Sequence, residues 1–234
     1  FTGAAVPPGA DTVLMQEKAI VTDGMLTVGD PGLTKGVNVR PKGSEIAKDG
    51  LAMRGSERLM PAALGFLAGI GIDRVKVHPR PKVAILVTGD ELQQPGSALA
   101  YGQVYEANSF QLRSALSMLH VRDVTLHTAP DDPAVLTETL QMALRESDMV
   151  LMTGGVSVGD HDHTRQAFDG CGVETVFHRV RQKPGKPLLF GMQGPRPVFG
   201  LPGNPASVLT CFYEYVCHAL AALMHLPTPP VRRV

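Results

Sequence analysis

The residues of this sequence that could do chemistry lie in a few short loops. TGGVSVGDHDHT (153–164) follows the apolar run MVLM and sets Gly154, Gly155, Ser157 and Gly159 ahead of Asp160, His161, Asp162 and His163. Glycines at such a junction let the backbone approach a ligand and aim N–H groups at an anion. A plain strand-to-helix turn is the competing account. GLPGNP (200–205) leads into a long apolar stretch, so Asn204, Ser207 and the first amides there form a second anion site or simply a helix cap. Asp90, Glu91, Asp131, Asp132, Asp160 and Asp162 supply carboxylates. Grouped carboxylates repel and raise one another's pKa unless a cation intervenes. Mg²⁺ suits them, since it takes one or two carboxylates together with substrate phosphates. For Asp132 helix capping is the stronger reading. His161 and His163 lack a third histidine or cysteine nearby, so they read as solvated loop residues rather than zinc ligands. QKPGKP (182–187) sets Lys183 and Lys186 around a Pro-Gly turn, with Arg179 and Arg181 just upstream. That is a clamp for oxyanions, or else an exposed hairpin. Carboxylates for a cation, with lysines and loop amides for anions, suit a phosphate-bearing substrate. No Ser-His-Asp order, GxSxG elbow, Walker A or GxGxxG sequence occurs.

The elements that must position these loops follow from periodicity. KVAILV (82–87), DVTLHTA (123–129), MVLM (149–152), VETVFHRV (173–180), PLLFG (187–191) and VFGL (198–201) read as strands. Helical spacing runs through SFQLRSALSMLH (109–120), with Asn108 or Ser109 placed to cap it. A second helix starts at Asp131-Asp132-Pro133 and reaches Arg145, a short one covers 164–168, and a long one follows GNPAS. Strands that are apolar throughout and alternate with helices predict a mostly parallel, doubly wound α/β sheet covered on both faces. Ligands of such sheets bind outside the carboxyl ends of the strands. TGDEL, APDD, TGGVSVGDHD and LPGNP all fall there.

Before Pro79 the pattern differs. DTVLMQE, AIVTD and MLTVG, separated by turn signals, predict short strands of a small β-rich domain, present in part, over residues 1–48. Residues 49–78 form a helical connector around LMPAALGFLAGIG, 79–226 the α/β domain, and 227–234 the start of a further β domain. The sequence opens at Phe1 rather than methionine, so an upstream segment is expected.

Bulk properties set the class. A content of 44% hydrophobic and 19% charged residues is that of a soluble globular protein. The 22 basic and 22 acidic residues cancel, which argues against nucleic acid or an anionic membrane as partner. Cys171, Cys211 and Cys217 are odd in number and lack metal-ligand spacing, pointing to a reducing compartment, hence the cytoplasm. The apolar stretch 206–226 contains Thr210, Tyr213, Glu214, Tyr215 and His218, so it reads as a buried or amphipathic helix and not a membrane span.

TGDEL (88–92), VYEANS (104–109), PDD (130–132), TGGVSVGDHDHT, KPGKP and GLPGNP occur in the order and spacing of the molybdopterin molybdenumtransferases, the MoeA family that includes the E domain of gephyrin. FTGAAVPPGADTVLMQE (1–17) resembles the same family's MTGAPVP segment. The resemblance implies a MogA-like molybdopterin-binding domain. It also implies an enzyme that converts adenylylated molybdopterin and molybdate, with a divalent cation such as Mg²⁺, into molybdenum cofactor and AMP. By position, Glu91, Asp131 and Asp162 match the family's acidic catalytic and metal-holding residues. Thr88, Gly89, Gly154, Gly155, Ser157, Gly159, Lys183, Lys186, Pro202, Asn204 and Pro205 fall in its substrate-binding motifs. Glu45 and Thr2 match two further family positions, and a homodimer is expected. Two rivals remain: a CinA-like nucleotide hydrolase sharing the TGG-loop domain, and a pterin-binding scaffold of the gephyrin kind.

Overall fold

The computed structural model describes residues 2–155 and 163–226. The chain divides into two compact units, Phe1–Val75 and Lys76–Val234.

In the first unit, strands β1 (Ala19–Thr22) and β2 (Met25–Val28) pair antiparallel. Asp23 and Gly24 turn between them at φ 51° and 77°, the two positive values that a tight hairpin needs. DTVLMQE was expected as a strand and is not one. Val13 N–H donates to the Val37 carbonyl and the Asn38 amide to the Val13 carbonyl, but no ladder continues. The segment ends in a 3₁₀ turn, Gln16–Lys18. A β-rich sequence without a partner strand cannot fill its backbone bonds as a strand. Helix α1 (Pro61–Gly69) carries Pro61 in its first turn, where the missing N–H costs nothing. Leu67 is the one described residue of this unit that is buried.

The second unit is built on a six-stranded sheet. In chain order its elements are β3 (Val83–Thr88), the two-residue β4 (Leu92–Gln93) and β5 (Val104–Tyr105), and α2 (Asn108–Met118). Next come β6 (Val124–Ala129), α3 (Pro133–Glu146), β7 (Met149–Thr153), α4 (His163–Gly170) and β8 (Glu174–His178). The unit closes with β9 (Leu189–Gln193), β10 (Arg196–Leu201), α5 (Pro205–Cys211), a π-helical turn Phe212–Val216 and α6 (Cys217–Leu223). Strands β4 and β5 pair with each other apart from the main sheet.

The main sheet has the order β6-β3-β7-β10-β9-β8. Four neighbours, β6, β3, β7 and β10, run parallel, and β9 alone is reversed. The sheet is mostly parallel, as the apolar strands imply. Because β8 reverses again, the loop joining it to β9 opens at the same edge as the carboxyl ends of the parallel strands.

Alternation along the strands divides the core. Ile85, Leu151 and Phe199 face Leu112, Leu116, Val208, Phe212, Val216 and Leu220 from α2 and the C-terminal helix. Leu86, Met152 and Val198 face Leu136, Leu140 and Phe168 from α3 and α4. A fully buried Leu or Phe contributes about 2 kcal/mol, so two covered faces hold this unit together. The helix Pro205–Leu223 is long and apolar enough, by length and composition, to cross a membrane. Its Val208, Cys211, Phe212, Val216 and Leu220 are all at 0% exposure in the core, which accounts for that composition.

Candidate active site at the carboxyl edge of the sheet

The four motif-bearing loops leave four adjacent strands, and side chains tie them together. Thr88, the last residue of β3, is buried, and its hydroxyl donates to Asp131 Oδ1 at 2.7 Å. The Asp131 N–H donates in turn to Asp90 Oδ1 at 3.2 Å. TGDEL and PDD thus meet through three named residues. Gly154 closes the other side of Thr88. Its φ is +92°, and a Cβ there would overlap the Thr88 carbonyl oxygen. Gly89, at φ +146°, would bring a Cβ within 2.9 Å of the Glu91 carboxylate. Gly155 would set one 3.1 Å from both Thr88 Cγ2 and Thr164 Oγ1. At Gly154 the loops pack backbone against backbone, whereas Gly89 and Gly155 lie against side chains.

Asn108, expected with Ser109 as one of two candidate helix caps, is a hub. The N-cap is Ala107, without a side-chain bond. Capping falls instead to the buried Glu106, which accepts from Ser109 N–H at 2.8 Å and from Ser109 Oγ at 2.5 Å. A carboxylate is the better acceptor for helix N-terminal donors. Asn108 is thereby released to donate to Thr153 Oγ1 at 2.7 Å and to the Gly203 carbonyl at 2.9 Å. Its Oδ1 accepts from Gln111, whose amide also donates to the Pro205 carbonyl at 3.0 Å. The ends of β7 and β10 are fastened through this pair. A groove of about 450 Å³ runs beside it, lined by Pro95, Tyr105, Glu106, Phe110 and Gln111 among others. Only the NS at the start of α2 hinted at Asn108; its tertiary partners are 45 and 95 residues away.

Asn204 caps α5, its Oδ1 accepting from Ala206 and Ser207 N–H at 3.0 and 3.3 Å. Pro205 takes the first helical position, and Pro202 is buried. Asp132 caps α3 through Ala134 and Val135 N–H.

The lysines lie elsewhere along the edge. Lys183 and Lys186, both exposed, sit in the β8–β9 loop. Strand β8 is four positions from β3, or roughly 20 Å at the ordinary spacing between strands. Gly185 between them is buried at φ +105°, against Cys211 and Gln182. Burial pushes the Cys211 thiol up to about 11, partly offset by its bond from Gln182. Burial likewise raises the Tyr215 phenol, helped by the nearby Cys211 and Glu214.

Glu91 and Asp131 are exposed at neighbouring strand ends. Ser157, Gly159 and Asp162 lie outside the described residues, as do His161 and Asp160. Among the described residues no three His, Cys, Asp or Glu side chains gather as a metal-holding group. Asp90 and Asp131, joined as above, do present two hard-oxygen carboxylates, the donor type and number that Mg²⁺ takes from a protein. In the first unit Glu45 accepts from Arg40 at 2.6 Å, and Thr2 is exposed.

Comparison with known proteins defines the class first. Residues 84–222 match the family described as probable molybdopterin binding domain, and residues 1–71 match the MoeA N-terminal region (domain I and II). The molybdopterin molybdenumtransferase of Haemophilus influenzae is 37% identical over 225 residues, covering 95% of this chain and 55% of the relative. That of a Nostoc species is 36% identical over 222 residues, covering 92% and 50%. The crystal structure of the molybdopterin biosynthesis MoeA protein from Pyrococcus horikoshii superposes with a TM-score of 0.75 at 33% identity, covering 95% of this chain and 55% of that one. The chain belongs to the MoeA family of molybdopterin molybdenumtransferases. It spans about half the length of the curated relatives it matches.

Proposed function

We propose that the protein carrying this chain inserts molybdate into adenylylated molybdopterin and releases AMP, with Mg²⁺ as its divalent cation. The observation that carries this reading is the convergence of TGDEL, PDD, TGG and GLPGNP on four adjacent strand ends, fastened by the Thr88–Asp131 and Asn108–Thr153 bonds.

Each residue then has a task. Thr88 holds one oxygen of Asp131 and fixes that carboxylate, which would hold the cation. Glu91 and Asp162 share that cation-holding and catalytic role. When bound, Mg²⁺ would supply positive charge against the phosphate oxygens. The amides of Gly154, Gly155, Ser157 and Gly159 receive the substrate phosphate. Pro202, Asn204 and Pro205 shape the neighbouring wall. Lys183 and Lys186, further along the edge, hold the oxyanion of molybdate. The strand ends hold pterin, phosphate and molybdate in register. A scaffold role is the weaker reading, because a pure binding module has no use for paired lysines and ordered carboxylates at one edge.

The same reading includes a cytoplasmic homodimer. Ile20, Val21, Met25 and Leu26 of the β1–β2 hairpin are 55 to 72% exposed, an apolar surface that supports association. Light scattering of the full-length protein tests it.

The deciding experiment is calorimetric titration of the full-length protein with adenylylated molybdopterin, with and without Mg²⁺, followed by molybdate. Binding with molybdate-dependent AMP release is expected. Binding without AMP release would favour the scaffold, and absence of binding would end the reading.

A further inference from the structure

The lysine loop is seated on the C-terminal helix by one side chain. Gln182 donates to the Pro184 carbonyl at 2.8 Å, between the two lysines, and its Nε2 also lies 3.8 Å from Cys211 Sγ. Its Oε1 accepts from the Tyr215 hydroxyl at 3.0 Å. Every polar atom of the Gln182 amide is therefore engaged, each in fixing the loop. The Tyr215 ring also packs on Phe177, near the end of β8, with centroids 6.2 Å apart. Tyr215 grips both the strand that leads into the loop and the residue that braces it.

Its placement depends on the π-helical turn Phe212–Val216. A π turn adds a residue, and each residue of an α-helix turns about 100°. Tyr215 lies within that turn, so the turn's wider pitch sets the direction of its side chain. The turn thus has a local consequence, a hydroxyl aimed at the KPGKP loop. Lysines are long and rotamer-rich, so a clamp of two binds an oxyanion well only if their backbone is fixed beforehand.

We propose that Gln182 and Tyr215 are positioning residues that preorganise Lys183 and Lys186 for molybdate, setting the affinity of the clamp without touching the anion. The proposal rests on the transferase reading above.

The test uses the full-length protein with Gln182→Ala, Tyr215→Phe, the double variant, and Lys183→Ala as benchmark. Molybdate affinity is measured by calorimetry, together with KM for molybdate, kcat for AMP release and melting temperature. Tyr215→Phe is expected to weaken molybdate binding and raise KM by about fivefold, the worth of one lost hydrogen bond, and Gln182→Ala, which also loses the bond to Pro184, by more, each with kcat within about twofold. The double variant is expected to match the worse single, since the two act as a unit. Tyr215→Phe keeps the ring on Phe177, so it carries the test if Gln182→Ala does not fold. Unchanged affinity in Tyr215→Phe and Gln182→Ala, beside a loss in Lys183→Ala, overturns the positioning role and leaves the transferase standing. A change confined to melting temperature overturns it equally. Wild-type molybdate binding in Lys183→Ala overturns the lysine assignment and this proposal together.

Discussion

The two ends of the sheet edge are held in different ways. At the β3–β7 end, backbone presses on backbone: Gly154 lies against the Thr88 carbonyl where no side chain fits. At the β8–β9 end, the lysine loop is held by the Gln182 amide and the Tyr215 hydroxyl. Backbone contact tolerates no addition, whereas a side-chain network can be loosened one bond at a time. The first end should fail abruptly on substitution and the second should respond by degrees.

The sharpest break in that comparison is Gly154→Ala. It adds a collision with the Thr88 carbonyl to a φ of +92°, and should cost more than about 3 kcal/mol or prevent folding. Gly203→Ala, where a Cβ would meet nothing within 4 Å, should stay within about 0.5 kcal/mol in the same denaturation experiment. Asn108→Ala comes next. It leaves the fully buried Thr153 hydroxyl and the Gly203 carbonyl without their donor, at about 2 to 3 kcal/mol in urea unfolding. Thr88→Val keeps the shape and removes the bond to Asp131. About 1 kcal/mol of stability should go, and more Mg²⁺ should be needed for half-maximal AMP release.

One further effect is confined to alkaline pH. Burial pushes Cys211 and Cys217 from the ordinary thiol value of 9.0 to about 11. Folding therefore favours the protonated thiols. Their contribution is intact below pH 9 and is lost as pH rises from about 9 to about 11. The urea midpoint should fall across that window, and less so in a variant with both cysteines replaced by alanine. A wild-type midpoint that held steady there would show the thiols are not shielded.

Much of this was legible in the sequence. Strands β3, β7 and β10 read as apolar runs because both faces are covered, and Pro133, Pro205 and their capping Asp132 and Asn204 marked two helix starts. Local chemistry sufficed there. It failed for DTVLMQE, whose composition suits a strand but whose backbone bonds to Gly36 and Val37 do not extend into a ladder, since pairing is not a local property. It failed again at the start of α2, where the local signal made Asn108 or Ser109 a cap. Glu106 took that role over three residues of chain, and Asn108 turned to partners 45 and 95 residues away.

By itself, then, the sequence determined the α/β alternation, the loops at the carboxyl ends and their inventory of glycines, carboxylates and lysines. Those follow from residue type and short-range periodicity. Tertiary structure alone decided the strand order, and with it which loops became neighbours. It also decided that Thr88 holds Asp131, that Asn108 joins β7 to β10, and that Tyr215 reaches Gln182 across 33 residues of chain. Such contacts require elements distant in the chain to pack first, and their partners lie beyond the reach of any local pattern.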